Sequence, residues 1–154
     1  MANKESEIEA FERIFRPDLV DQAKTAKKKQ LQLNLEALDY ISSISVRNMV
    51  LWLRDAVTRY PEAEIVFTEV SSHVYRQLLL VGSLLPLQLK IASFQVPFYC
   101  DKCEIETQKL VQASQVLPAG DDYEKAVEPA PVCEKCQVQM QPDVNLEEYL
   151  KIIK

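Results

Sequence analysis

The stretch LQLNLEALDYISSISVRNMVLWLRDAV, residues 31–57, decides the fold class. Leu31, Leu33 and Leu35 alternate with Gln32, Asn34 and Glu36. That period of two predicts a half-buried strand over 31–38. From Val46 the period changes. Val46, Val50, Leu53 and Val57 recur at helical spacing with Met49 and Ala56 beside them, which predicts a sheet-packing helix from about Ser43 to Arg59. Ser42 and Ser43 mark the join, and either can cap the helix. Tyr60-Pro61 ends it, because the residue before a proline is pushed out of the helical region.

Downstream, AEIVFTEV (63–70) predicts a second strand. SSHVYRQLLLVGSLLP predicts a second helix, capped by Ser71 or Ser72 and ended at Pro86. LQLKIASFQVPFY (87–99) predicts a third strand. Upstream, residues 2–9 read as helical or frayed and 11–15 as a short strand. A helix follows from Pro17-Asp18-Leu19 to about Lys28, with Leu19, Val20 and Ala23 as its sparse apolar positions. The tail NLEEYLKIIK predicts a short helix with Leu146, Tyr149, Leu150 and Ile153 as its packing stripe. Alternating strands and helices imply an α/β layer with parallel strands. No internal repeat is read.

At 154 residues the chain makes one ordinary domain with room for a small appendage. It is 47% hydrophobic and 27% charged, enough for a real core. A net charge of −5 argues against nucleic acid as the main partner, since neutralising phosphates needs a basic surface. Lys24 and the run Lys27-Lys28-Lys29 read as a solvated helix end. No window holds the uninterrupted apolar run of a membrane helix, and MANKESEIEAFERIF lacks the apolar core of a signal peptide. The expected compartment is the cytoplasm, where thiols stay reduced.

The four cysteines form two C-x-x-C pairs, Cys100/Cys103 in FYCDKCEI and Cys133/Cys136 in PVCEKCQV. Two such pairs supply the four thiolates of a tetrahedral Zn²⁺ site, in the layout of a zinc ribbon. Four thiolates leave no open position for water or substrate, so the expected role is structural. Iron in the same thiolate set and a pair of redox dithiols are the rivals. The 29 residues from Glu104 to Val132 separate the pairs. Within them, 117–131 reads as a mobile loop rich in proline and acid.

The order of these motifs resembles the STAS domain (sulfate transporter and anti-sigma factor antagonist) from about Phe11 to Tyr99. In particular it is similar to a bacterial subgroup with a C-terminal C-x-x-C zinc ribbon. Ile41, Ser43, Val46 and Arg47 match the subgroup's strand-to-helix turn, and VPFYCDKC matches its strand-to-ribbon join. The resemblance implies a STAS-like α/β domain over 1–99 and a zinc-ribbon appendage over 100–154. It also implies a non-catalytic signalling module that binds a regulatory kinase, an anti-sigma-like protein or a scaffold. By the same resemblance Ser43 is the phosphorylated serine of the turn. A phosphate there would sit at a helix N-terminus and add nearly two negative charges. Two positions depart from the pattern: Ser42 stands where the family has an acid, and Ser45 where it has the turn glycine.

The outer face of the same helix carries Ile44, Asn48, Leu51 and Trp52, away from Val46, Val50 and Leu53. An outward tryptophan among apolar residues marks a candidate protein contact. The alternative is that an extra segment of the chain, or a second copy in a homo-oligomer, covers it. An enzyme reading finds little support. His73 is the sole histidine, and two glycines, Gly82 and Gly120, allow no phosphate-binding glycine loop. Two further readings remain open. One is nucleic-acid binding by the ribbon through Lys102, Lys109 and Lys135, opposed by Asp101, Glu104, Glu106 and Glu134. The other is a thiol redox sensor that releases its metal on oxidation.

Overall fold

The structure, a computed structural model, describes residues 5–153. The chain is mixed α/β. Helix α1 (Glu7–Ile14) and helix α2 (Leu19–Thr25) lead into strand β1 (Gln30–Asn34). Helix α3 (Ser43–Arg59), strand β2 (Glu64–Thr68), helix α4 (Ser72–Leu80) and strand β3 (Leu89–Ile91) follow. Then come strands β4 (Ser93–Cys100) and β5 (Ile105–Gln112), helices α5 (Ala113–Ala119) and α6 (Tyr123–Ala126), strand β6 (Gln141–Pro142) and helix α7 (Leu146–Leu150).

Strands β1, β2 and β3 pair in parallel, with Leu31 beside Ile65 and Phe67 beside Ile91. The helices α3 and α4 are the crossovers such pairing requires. At Ala92 the chain changes neighbours. Its N–H still donates to Phe67 O on the β2 side, while its carbonyl accepts from Ala113 N on the other. The single strand expected over 87–99 is therefore two, because β3 pairs with β2 and β4 forms an antiparallel hairpin with β5. A parallel bridge from Val70 to Phe94 joins the two sheets. It is reached through Glu69, held in the left-handed region at φ 52°. Asn34 Nδ2 donates to its carboxylate at 2.7 Å, and its N–H donates to buried Ser93 Oγ at 2.8 Å.

Several elements differ from the sequence expectation, each for a local reason. Residues 11–15 are not a strand. They belong mostly to α1, which opens on a capping box in which Ser6 Oγ accepts from Glu9 N and Ser6 N donates to the Glu9 carboxylate. Ala10 and Ile14, four apart, bury one face of that helix. Residues 2–4 lie outside the described residues, and so does Lys154. Strand β1 stops at Asn34, whose side chain accepts from Glu36 N at 2.8 Å and turns the chain. Helix α4 stops at Leu80, and a 3-10 turn spans Gly82–Leu84.

The segment 117–131 is not a bare loop. It holds the end of α5 and all of α6, and it buries Ala126 and Val127. Lys109 of β5 donates to Val127 O at 2.8 Å and also to Pro129 O, and Gln115 donates to Glu128 O. These bonds satisfy carbonyls that the excursion would otherwise leave unpaired.

The segment after Cys100 shares the core of the first hundred residues. Tyr149 and Leu150 of α7 are buried, and the Tyr75 ring lies 4.3 Å from Tyr149 and 4.7 Å from Phe94. Tyr75 donates to Tyr149 O, and Tyr149 donates to Gln95 O at 2.6 Å. Burial pushes both phenols far above the ordinary tyrosine value, so they stay neutral donors. Leu150 is fully buried, worth about 2 kcal/mol of transfer free energy. Among the described residues no helix is long and apolar enough to cross a membrane.

Candidate metal centre and the amino end of α3

The β4–β5 hairpin places the first cysteine pair at its tip, where Cys100 is opposite Ile105. The pair closes a knuckle in which Glu104 N donates to Cys100 O at 2.8 Å. The second pair closes the same way, with Gln137 N donating to Cys133 O at 2.9 Å. In both, the residue after the second cysteine takes positive φ, 55° at Glu104 and 61° at Gln137. The local sequences match as well, CDKCEIE against CEKCQVQ. This seven-residue near-repeat was readable in the sequence, where no repeat was expected.

Strand β6 brings the two knuckles together. It lies along β4, with Tyr99 beside Gln141 and Phe98 beside Pro142, so the chain just before it stands next to Cys100. The sulfurs of Cys100, Cys103, Cys133 and Cys136 all lie within 4.8 Å of one another. The Cys100 and Cys136 sulfurs are 3.6 Å apart. A tetrahedral ion with metal–sulfur bonds near 2.3 Å needs sulfurs about 3.8 Å apart. The donor set fits such an ion after shifts of a few tenths of an ångström to one ångström. Cys100 and Cys133 are buried, and Cys103 and Cys136 are partly exposed.

The knuckle backbone also readies one sulfur for metal. The N–H groups of Cys136 and Lys135 point at Cys133 Sγ and draw its pKa below the ordinary thiol value. Cys103 is moved the other way. Its hydrogen bond to Cys136 and its burial favour the protonated thiol.

A second arrangement stands at the amino end of α3. Ser42 is the N-cap: its Oγ accepts from Ser45 N at 3.2 Å and lies 3.1 Å from Ser45 Oγ. Ser43 follows as the first helical residue, and its side chain is exposed. The Glu7 carboxylate of α1 accepts from Ser42 N at 2.8 Å. That bond, with the nearby serine hydroxyls, holds the Glu7 carboxyl below its ordinary range. A carboxylate of the chain itself thus occupies the positive end of the helix dipole. His73 Nδ1 accepts from Ile41 N at 3.3 Å, and its ring stacks on Tyr40 at 4.6 Å.

The four outer residues of α3 separate into two groups. Ile44, Asn48 and Leu51 share one stripe, and all three are exposed, Ile44 by 73% and Leu51 by 48%. Trp52 is turned toward α1. Its ring packs edge-on against Phe15 at 5.4 Å, and its Nε1 donates to Arg16 O at 3.0 Å. The N-terminal segment packs over part of the tryptophan. Ile8 of α1 and Tyr40 of the loop before α3 are exposed as well.

No family model matches the chain, and no curated protein or solved structure matches it.

Proposed function

We propose that the chain is a non-catalytic, STAS-like protein-binding module of a bacterial cytoplasmic signalling system. Its two knuckles form a ribbon around one structural zinc ion. Its docking face is the amino end of α3, with Ser43 as the phosphorylated residue. The observation that carries this reading is the exposed Ser43 hydroxyl at the first turn of α3, flanked by exposed Ile44, Leu51 and Tyr40.

The chemistry of a switch at this position follows from its neighbours. Arg47 stands one turn on from Ser43, is exposed, and makes no ion pair among the described residues. It would take one phosphate oxygen in a charge-assisted bond. Glu7 already holds the adjacent Ser42 N–H. A phosphate on Ser43 would compete with that carboxylate for the same helix end and loosen α1. Phosphorylation would therefore change both the charge and the cover of the docking face. The partner is a regulatory kinase, an anti-sigma-like protein or a scaffold. The net charge of −5 speaks against nucleic acid.

A native mass spectrum of the protein from its own host tests the reading. One zinc per chain with a phosphorylated fraction mapped to Ser43 is the expected result. One zinc and no phosphate under perturbed signalling would reduce the protein to a constitutive binding module. A spectrum without metal would overturn the structural zinc.

A further inference from the structure

On the side of the molecule bearing the free edge of β3, an apolar cleft of about 400 Å³ opens to solvent. Strand β5 ends at Gln112, and α5 leads the chain away from Ala113, so the outer edge of β3 has no strand beside it. Its walls are Leu87, Leu89, Ile91, Leu117 and the C-terminal Ile152 and Ile153. Leu87 is 92% exposed and Leu117 56% exposed, an arrangement water penalises.

Two polar features converge on this cleft. Lys90 is the only charged residue among the described residues that line it. It is exposed, and its side chain has no ion pair or hydrogen bond among the described residues. The second feature is backbone. In the β2–β3 ladder Gln88 O and Ala92 N bond toward β2, so the alternating geometry turns both the N–H and the C=O of Ile91 outward. Ile91 is a buried residue, and no group among the described residues accepts that N–H. The backbone edge offers a donor and an acceptor alike, so the charge of Lys90 decides the sign: an apolar trough beside one cation asks for an aliphatic chain ending in an anion.

Size separates this occupant from a second protein chain. A small-ligand site spans roughly 300–1,000 Å³. A stable protein interface needs on the order of 800 Å² from each side, whereas three leucine side chains bury on the order of 300 Å².

We propose that the cleft beside β3 binds an aliphatic monocarboxylate, with the chain against Leu87, Leu117 and Ile153 and the carboxylate held by Lys90 and the Ile91 N–H. The site is separate from the cysteine cluster and from the α3 face.

The test uses the full chain and three eight-carbon probes, octanoate, 1-octanol and octylammonium, each followed by ¹H–¹⁵N correlation spectra. Octanoate is expected to shift the amides of Ile91, Ala113 and Leu117 saturably at one site per chain, and to bind at least fivefold more tightly than octylammonium. Lys90→Glu, a surface change, should abolish that preference while leaving 1-octanol binding intact. Unsaturable or scattered shifts would overturn the site. Equal affinity for the two charged probes, or a Lys90→Glu variant that keeps its preference, would overturn the carboxylate assignment. So would a sedimentation experiment showing a dimer that Leu87→Glu splits, because the cleft would then belong to a second copy.

Discussion

The two cysteine knuckles have nearly the same sequence and quite different support. The first sits at the tip of a hairpin whose strands pair along their whole length, from Ser93 with Gln112 to Cys100 with Ile105. The second rests on one bridge between Val132 and Gln139, with Cys133 N bonded to Val138 O and Met140 N to Pro131 O. One knuckle is held by the sheet whether or not a cation is present. The other gains most of its order from what the four sulfurs share. The lesson is that equal ligand motifs need not be equally preorganised, and that the weaker half reports the metal.

Metal removal should break the comparison most strongly. Chelation of the zinc-loaded protein is expected to speed amide exchange across 131–140 by several orders of magnitude. The β4–β5 amides should change far less, because their ladder remains. Structural zinc sites contribute roughly 10 kcal/mol or more in small domains at neutral pH. Here the effect should be largest near the knuckles, because strands β1 to β3 and helices α3 and α4 contain no cysteine. Acid should mimic the chelator. Each thiol that must lose a proton to bind metal makes affinity fall as pH falls, by about tenfold per proton per pH unit. Equal protection of both knuckles after chelation would show that the second is preorganised as well.

Support from below comes next. Strand β6 and helix α7 return the second knuckle's chain to the core, and Leu150 is fully buried there. Leu150→Ala should cost about 3 kcal/mol by loss of transfer free energy and cavity formation. Denaturant unfolding measures the total. Hydrogen exchange should show the first loosening at 131–150 rather than at the β4–β5 tip. Uniform loosening would mean that α7 supports both knuckles equally.

How much of this was legible in the sequence depended on the kind of signal. The helical period of Val46, Met49, Val50 and Leu53 fixed α3 to the residue, because the whole stripe faces the sheet. The cysteine spacing announced the sulfur cluster for an equally local reason. The capping box at Ser6 and Glu9 is an equally local signal, but the reading missed it and took FERIF for a strand. What could not be read was tertiary. The division of 87–99 into β3 and β4 reflects a change of partner strand at Ala92. Trp52 looked outward by helical phase, yet Phe15, far away in the chain, packs on it. Lys109 stitching down 127–129 rests on the same kind of long-range contact. Glu104 and Gln137 carried no sign of left-handed backbone, since neither is the glycine such positions favour.

Those two residues give the smallest and most direct comparison of the knuckles. Each holds a non-glycine residue in the left-handed region, at a cost of about 1 kcal/mol. Glycine removes that steric cost but adds unfolded-state entropy of roughly 0.5–1 kcal/mol, so the net change is small. In the first knuckle the hairpin ladder already forces the conformation. Glu104→Gly should therefore shift the global unfolding midpoint by less than about 1 kcal/mol, in the stabilising direction if at all. In the second knuckle the same change acts on a segment that must be ordered as it takes up metal. Gln137→Gly should leave global stability within about 0.5 kcal/mol while changing zinc affinity, measured by competition with a chromogenic chelator. Relief of strain would tighten binding, and a floppier unbound knuckle would weaken it, so the sign says which effect governs metal uptake. Matching zinc affinities for Glu104→Gly, Gln137→Gly and the parent would remove the asymmetry and leave the two knuckles energetically alike.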